Sequence, residues 1–410
     1  MLKTLKSKTL KLKTLEQFDS HQERNARRIG DGHRVIYGIA GSGKTVLLIA
    51  RARLLSEQKP NIQILMLCYN VTLATYLRKN LRDCPNVTVR HFDGWSKTNR
   101  CGREKNESSE DLGARFLDKL RNGCHDTRRY DAVLIDEAQD FDVSWFKCVL
   151  EAMKDPKHGD LVIVADGSQG LYKSRKISWK EIGIKAQGRS IYKRFDLHKN
   201  YRNRPQIVEL AAIFARNLET EQQTDDSIHA LFVDPLKCQR PDGMKPLLVE
   251  SYDRDTECNK VMNIARNLLQ GNWFGKSIPP LKPEEIAILY PMIPRTERAN
   301  LKSLIQGLNQ FTKVVWLNES PTSRELVTEP GIKIQTIHSA KGLQYRAVIL
   351  MWGDLLPRTF PDTNEAEERC VMYVGMTRPE DYLVISSSGF SPFIQEIKGS
   401  GKADLIRERV

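Results

Sequence analysis

The chain has 410 residues, 40% hydrophobic and 28% charged, which excludes a disordered or fibrous protein and leaves room for two or three domains with sizeable cores. Lys+Arg 64 against Asp+Glu 51 leaves a net charge of +13 and a pI of about 9.3, a balance that favours a polyanionic partner. No run approaches the roughly 18 apolar residues of a membrane span, and the eight scattered cysteines form no CxxC and no Cys/His pair at zinc spacing; a cytoplasmic protein with no structural metal and no membrane partner is expected.

Residues 1–17, MLKTLKSKTLKLKTLEQ, interleave Lys and Leu too closely for the apolar core of a signal peptide and read as a basic amphipathic or frayed lead-in. From residue 34 onward, short β-branched runs alternate with helical segments, the pattern of parallel α/β units. RVIYGIA, ILMLCY, VTVRHF, AVLIDEA and DLVIVAD predict the strands of a first domain. GIAGSGKT (38–45) follows the first of them and precedes the helical TVLLIARARLL, so it fits GxxxxGK[ST] in the setting that motif needs. Gly38, Ile39, Ala40, Gly41, Ser42 and Gly43 would cradle phosphate oxygens with backbone N–H groups at a helix N-terminus. Lys44 would reach the β- and γ-phosphates and Thr45 would ligate magnesium.

Residues 93–130 are polar, predict at most one helix and read as a short exposed insertion. VLIDEAQD (133–140) then ends a buried-looking strand in two adjacent carboxylates. Given the phosphate loop, Asp136 is expected to hold Mg2+, directly or through water, and Glu137 to accept the proton of the water attacking the γ-phosphate. Strand alternation sends such neighbours in different directions, which suits two jobs. Asp140 is expected to cap the helix of FDVSWFKCVL.

Residues 173–202 carry ten Lys or Arg against Glu181 and Asp196 and form a candidate nucleic-acid track. Near NYRNRP the pattern restarts: RPQIVELAAIFARNL predicts a helix, and strands follow at LLVESY, EIAILYP, KVVWL, IKIQTIH, AVILMW and YLVISS. Two α/β domains, 1–199 and 200–410, are therefore expected.

In this order the motifs resemble those of the UvrD/Rep type of superfamily 1 helicases. GIAGSGKT resembles motif I, LCYNVTLA (67–74) motif Ia, VLIDEAQD motif II and VADGSQGLY (164–172) motif III. LHKNYRN (197–203) resembles motif IV, QTIHSAKGLQY (335–345) motif V and VMYVGMTRPEDYLVI (371–385) motif VI. The resemblance implies two tandem RecA-like P-loop NTPase domains with parallel sheets, and an ATP hydrolase that acts as a DNA helicase with ATP and Mg2+. It also implies that Gln22 reads adenine, that Tyr201 stacks on it, and that Gly342 and Gln344 complete the nucleotide contacts. Gln169 would sense the γ-phosphate, and Arg202 and Arg378 would reach across the domain interface to neutralise charge in phosphoryl transfer.

Candidate nucleic-acid contacts are Tyr69 and Asn70 in motif Ia, His91, Phe92 and Trp95 in VRHFDGW, Trp179 in the basic run and His338 in motif V, because aromatic faces beside basic residues suit single strands. Departures from the family pattern are Gln344 where Glu is usual, Val46 where Arg is common, and KSRKISWKEIGIKAQGRS in place of an aromatic-rich stretch after motif III. The gaps between Lys44 and Asp136 and between Arg202 and His338 are shorter than in members with full accessory domains. The expected activity is an ATP-driven translocase on single-stranded DNA, moving 3′ to 5′ by resemblance, with a protein partner such as a nuclease or accessory factor in view. An RNA or ribonucleoprotein remodeller, or a nucleotide switch for a partner nuclease, are the alternatives.

Overall fold

The structure is a computed structural model that describes residues 24–122, 129–166, 179–185, 197–215, 234–358 and 363–406. Two parallel sheets organise it. The first contains β1 (His33–Gly38), β2 (Ile64–Cys68), β3 (Val87–His91), β4 (Ala132–Ile135) and β5 (Asp160–Asp166), in the order β1-β5-β4-β2-β3. Short Val/Ile/Leu runs with no polar alternation can be buried only on both faces, which is the environment of a parallel sheet between helices. Accordingly Val35, Leu65, Val133 and Ile163 pack into one core while Ile36, Met66, Leu134 and Val162 pack into another on the opposite face.

The second sheet follows the same logic with seven strands. After β6 (Leu247–Glu250) come a small antiparallel hairpin, β7 (Asn272–Trp273) and β8 (Lys276–Ser277), then β9 (Ile286–Tyr290), β10 (Val314–Trp316), β11 (Ile332–Thr336), β12 (Tyr345–Leu350), β13 (Pro379–Ser387) and β14 (Asp404–Ile406). The sheet order is β10-β11-β9-β12-β13-β6-β14. The chain therefore has the α/β fold of two tandem RecA-like P-loop domains. Every strand expected from sequence is present; the hairpin and β14 were not expected, being too short to carry a pattern.

The supposed exposed insertion differs from expectation. Its described residues hold two helices, α3 (Phe92–Thr98) and α4 (Ser109–Arg121), preceded in the first domain by α1 (Lys44–Gln58) and α2 (Val71–Asn80) and followed by α5 (Val143–Ala152). Ser108 caps α4 by accepting from the Asp111 N–H, and Leu112, Phe116, Leu117 and Leu120 form a buried stripe against the first core. Gly113 lets α4 approach α5 closely, since a β-carbon there would stand 2.6 Å from Cδ1 of Trp145. Within the described residues, no helix is long and apolar enough to cross a membrane.

Candidate functional site

The phosphate loop joins β1 to α1, and its backbone explains its glycines. Gly41 and Gly43 have φ of 72° and 92°, and a β-carbon on Gly41 would lie 2.9 Å from both Arg202 Cβ and Asn200 Nδ2. α1 begins with no side-chain cap, so its first N–H groups face the loop's concavity. The buried Ser42 hydroxyl has no hydrogen-bond partner among the described residues. An uncapped helix start, turning glycines and an orphaned hydroxyl fit an anion such as a triphosphate. Lys44 Nζ donates to the carbonyls of Gly38 (3.0 Å) and Ile39 (2.8 Å) and pairs with Asp166 at 3.4 Å, which holds it at the mouth of the loop.

The order of the first sheet sets β5 between β1 and β4, so the carboxyl ends of these strands bring Lys44, Asp166 and Asp136 together. Thr45 Oγ1 donates to Asp136 Oδ2 at 2.7 Å. Burial, with the neighbouring Glu137 carboxylate, raises the Asp136 pKa above the ordinary range. A hard cation between these two oxygen ligands would offset that charge, so the residues fit Mg2+. Glu137 has φ of 52°, a left-handed conformation rare outside glycine, and its carboxylate accepts from the Gln139 amide. Gln139 Oε1 in turn accepts from the Asp166 N–H at 2.9 Å.

Arg202 and Arg378 approach this cleft from the second domain. Residues 203 and 204 are tied to the start of β13, through Asn203 to the Thr377 carbonyl (3.1 Å) and the Arg204 N–H to the Glu380 carbonyl (3.1 Å). Asn200 Nδ2 donates to the Ala40 carbonyl (3.1 Å), and the Tyr201 N–H donates to the Gly41 carbonyl (3.0 Å), so motif IV is fastened directly to the phosphate loop. Arg202 donates to Gln344 Oε1 (3.0 Å) and the Thr377 carbonyl (3.3 Å). Arg378 is buried and donates to the carbonyls of Val374 (2.9 Å) and Leu343 (3.3 Å). Burial, then repulsion from Arg202, lowers Arg378 to about 10, while Glu137 and Asp166 act in the opposite sense. Gly342 (φ 77°) meets Leu73 of α2, where a β-carbon would stand 2.8 Å from Cδ2.

Asp140 is not a helix cap. Asp142 occupies the N-cap of α5, and Asp140 instead pairs with Lys341 of motif V at 2.9 Å, both groups buried. The motifs also meet where the Thr72 hydroxyl donates to the Ser339 carbonyl at 2.6 Å. Removing one partner of a buried pair strands the other charge. Lys341→Met is therefore expected to lower stability by about 3 kcal/mol, and Asp140→Leu/Lys341→Met to recover most of that loss. Urea denaturation would check it; equal midpoints for Lys341→Met and the parent would mean the pair contributes nothing.

Of the nucleic-acid candidates, three are corrected. Phe92, Trp95 and Trp179 are buried in the first core, and the Trp179 indole donates to the Tyr37 hydroxyl at 2.9 Å, so none presents a ring face to a base. Their order along the chain beside motifs could not distinguish core from surface. Tyr69 is 42% exposed and His338 is exposed at the start of a 3-10 turn, so both are accessible. Asn70 caps α2, accepting from the Leu73 N–H (2.7 Å) while its amide donates to the Lys341 carbonyl (3.3 Å). His91 is half-buried, and burial lowers its pKa. Gln22, Gln169, the lead-in and most of the basic run, including Lys173, Arg175 and Lys176, lie outside the described residues. Asn200, Asn203, Gln139 and Lys341 were missed as site residues, although all four lie inside motifs that had been recognised.

Two family profiles match the chain: an AAA domain over residues 22–175 and the UvrD-like helicase C-terminal domain over residues 275–389. No curated protein matches it. Among solved structures, the C-terminal domain of a possible DNA helicase from Lactobacillus WCFS1 is 16% identical, aligns with 50% of this chain and 98% of its own, and superposes with a TM-score of 0.32, a likeness too loose to build on.

Proposed function

Because this chain belongs to the UvrD-like helicases and is an ATP-hydrolysing DNA helicase, we propose that it works as a translocase on single-stranded DNA, moving 3′ to 5′ as the resemblance of its motifs implies. The observation that carries this reading is the junction itself. Arg202 and Arg378 interact electrostatically with Glu137 and Asp166 of the cleft, while motifs Ia and V join through Thr72 and Ser339. One closing motion therefore changes both sites. We place the domain boundary at residues 199 and 200, where motif IV meets the phosphate loop.

In this scheme the phosphate loop binds ATP, with Gln22 and Tyr201 at the adenine and Gly342 and Gln344 beside the sugar. Thr45 and Asp136 would hold Mg2+, which neutralises phosphate charge when bound. Glu137 takes a proton from the attacking water, Gln169 senses the γ-phosphate, and the two arginines neutralise charge that develops as the bond breaks. Tyr69 and His338 face the strand.

ATPase activity with and without single-stranded DNA and RNA of equal length is the deciding experiment. Strong stimulation by DNA supports the proposal; preference for RNA or hydrolysis indifferent to both would overturn it. Unwinding is a separate matter, since α3 and α4 are committed to the first core and leave little to engage a duplex. The isolated chain is expected to unwind a 3′-tailed duplex weakly, and a partner or second copy to improve it. A single-turnover helicase assay checks this, and processive unwinding by a confirmed monomer would contradict it.

Binding to single-stranded DNA is also expected to weaken steeply with salt, because cationic side chains release counterions from phosphates. Neutralising Lys173, Arg175 and Lys176 together should flatten the slope of log affinity against log salt. An unchanged slope would remove that run from the binding track.

A further inference from the structure

We propose that Trp145 is a positioning residue for strand binding: it is the middle plate of a stacked column, Tyr69–Trp145–Phe92, that holds the exposed Tyr69 ring ready for a base. This rests on the reading of Tyr69 as a strand contact. The Trp145 and Phe92 rings lie face to face, with centroids 3.9 Å apart and planes 2° from parallel. Tyr69 stacks on Trp145 at 6.1 Å and 23°. Trp145 is 1% exposed and Phe92 fully buried, whereas Tyr69 stands 42% exposed, so the column runs from the core to the surface.

Several contacts keep the middle plate from turning. Its indole N–H donates to the Ser109 carbonyl at 2.8 Å, at the first turn of α4, and Phe141 packs edge-on at 5.1 Å. Gly113 makes the first contact attainable, because any β-carbon there would push against the indole. A surface tyrosine on an unsupported loop would lose side-chain rotamer freedom whenever a base stacked on it. Here Trp145 supports the ring before the base arrives, and preorganisation of this kind raises affinity without adding a contact to the ligand. The segment that reads as a polar insertion thus acts, through α4, as the anchor of that support. Asn70, next to Tyr69, binds the Lys341 carbonyl, which sets the platform at the junction of the two domains.

The test uses the full chain and a thymidine oligonucleotide, reading the DNA concentration that half-maximally stimulates ATP hydrolysis and the rate at saturation. Tyr69→Ala and Trp145→Leu should each raise that concentration about tenfold, within the range for loss of one stacked base. The saturated rate of Trp145→Leu should stay near that of the parent, the signature of lost binding rather than lost chemistry. Trp145→Phe, which retains a ring, should recover most of the affinity. Tyr69→Ala/Trp145→Leu should bind no worse than Tyr69→Ala alone, since one residue acts through the other.

If Tyr69→Ala binds DNA as the parent does, the reading of Tyr69 fails and the proposal with it. If Tyr69→Ala weakens binding but the Trp145 change is silent or adds to it independently, Tyr69 stands and the positioning claim is overturned. Should Trp145→Leu not fold, the same cycle with Trp145→Phe decides the matter. Its smaller loss must vanish on the Tyr69→Ala background, and persistence there overturns the proposal.

Discussion

Glu137→Gln is expected to bind ATP as the parent does and to lose hydrolysis by about 10²–10⁴-fold, the range for removal of a positioned general base. The substitution keeps the shape of the side chain and leaves the Thr45–Asp136 hydrogen bond and the Lys44 contacts in place. Glu137 has a left-handed backbone, and the two adjacent carboxylates take different partners, Gln139 for Glu137 and Thr45 for Asp136. Gln139 then links the Glu137 carboxylate to the Asp166 N–H, fixing the proposed base between two carboxyl strand ends. Fluorescent-nucleotide titration and phosphate release, measured on the same sample, separate binding from turnover. Hydrolysis close to the parental rate would remove Glu137 from the reaction.

Arg378→Ala is expected to slow hydrolysis by about 10³–10⁵-fold while nucleotide still binds, as for loss of an arginine finger. At about 10 its pKa is lowered by burial, yet the guanidinium remains charged at neutral pH. Its hydrogen bonds to the Val374 and Leu343 carbonyls anchor it to the second domain. Hydrolysis is then expected to depend on that domain's being in place. Arg378→Lys is the useful control, since it keeps the charge but not the fork of donors, and should recover only part of the rate. Weaker nucleotide binding with unchanged turnover per bound ATP would make Arg378 a binding residue only.

Much of the fold was legible because parallel strands buried on both faces leave short, uninterrupted apolar runs, as in ILMLC and AVLI. The phosphate loop was legible for a related reason: its residue types are dictated by backbone conformation, and they are contiguous. What escaped was set by contacts distant in the chain. The partner of Asp140 lies 201 residues away, and nothing local distinguishes a carboxylate awaiting Lys341 from a helix cap. Trp95 and Trp179 looked like stacking residues because they stand near motifs, but proximity in sequence says nothing about which way an indole points. The stripe Leu112, Phe116, Leu117 and Leu120 was hidden among polar neighbours, and only its helical spacing, read deliberately, would have disclosed a packed helix.

The approach of Arg202 to Arg378 bears on how chemistry becomes movement. Three cations, Lys44, Arg202 and Arg378, share the cleft with the carboxylates of Asp136, Glu137 and Asp166, and the two guanidinium groups repel one another. Both guanidinium groups stand on the second domain, so their repulsion strains that wall and does not part the two domains, while Glu137 and Asp166 attract them from across the cleft. A bound triphosphate is expected to relieve the repulsion, and departure of its γ-phosphate to restore it. The pair of arginines would then work as a catch, set when the nucleotide enters and released when its terminal phosphate leaves.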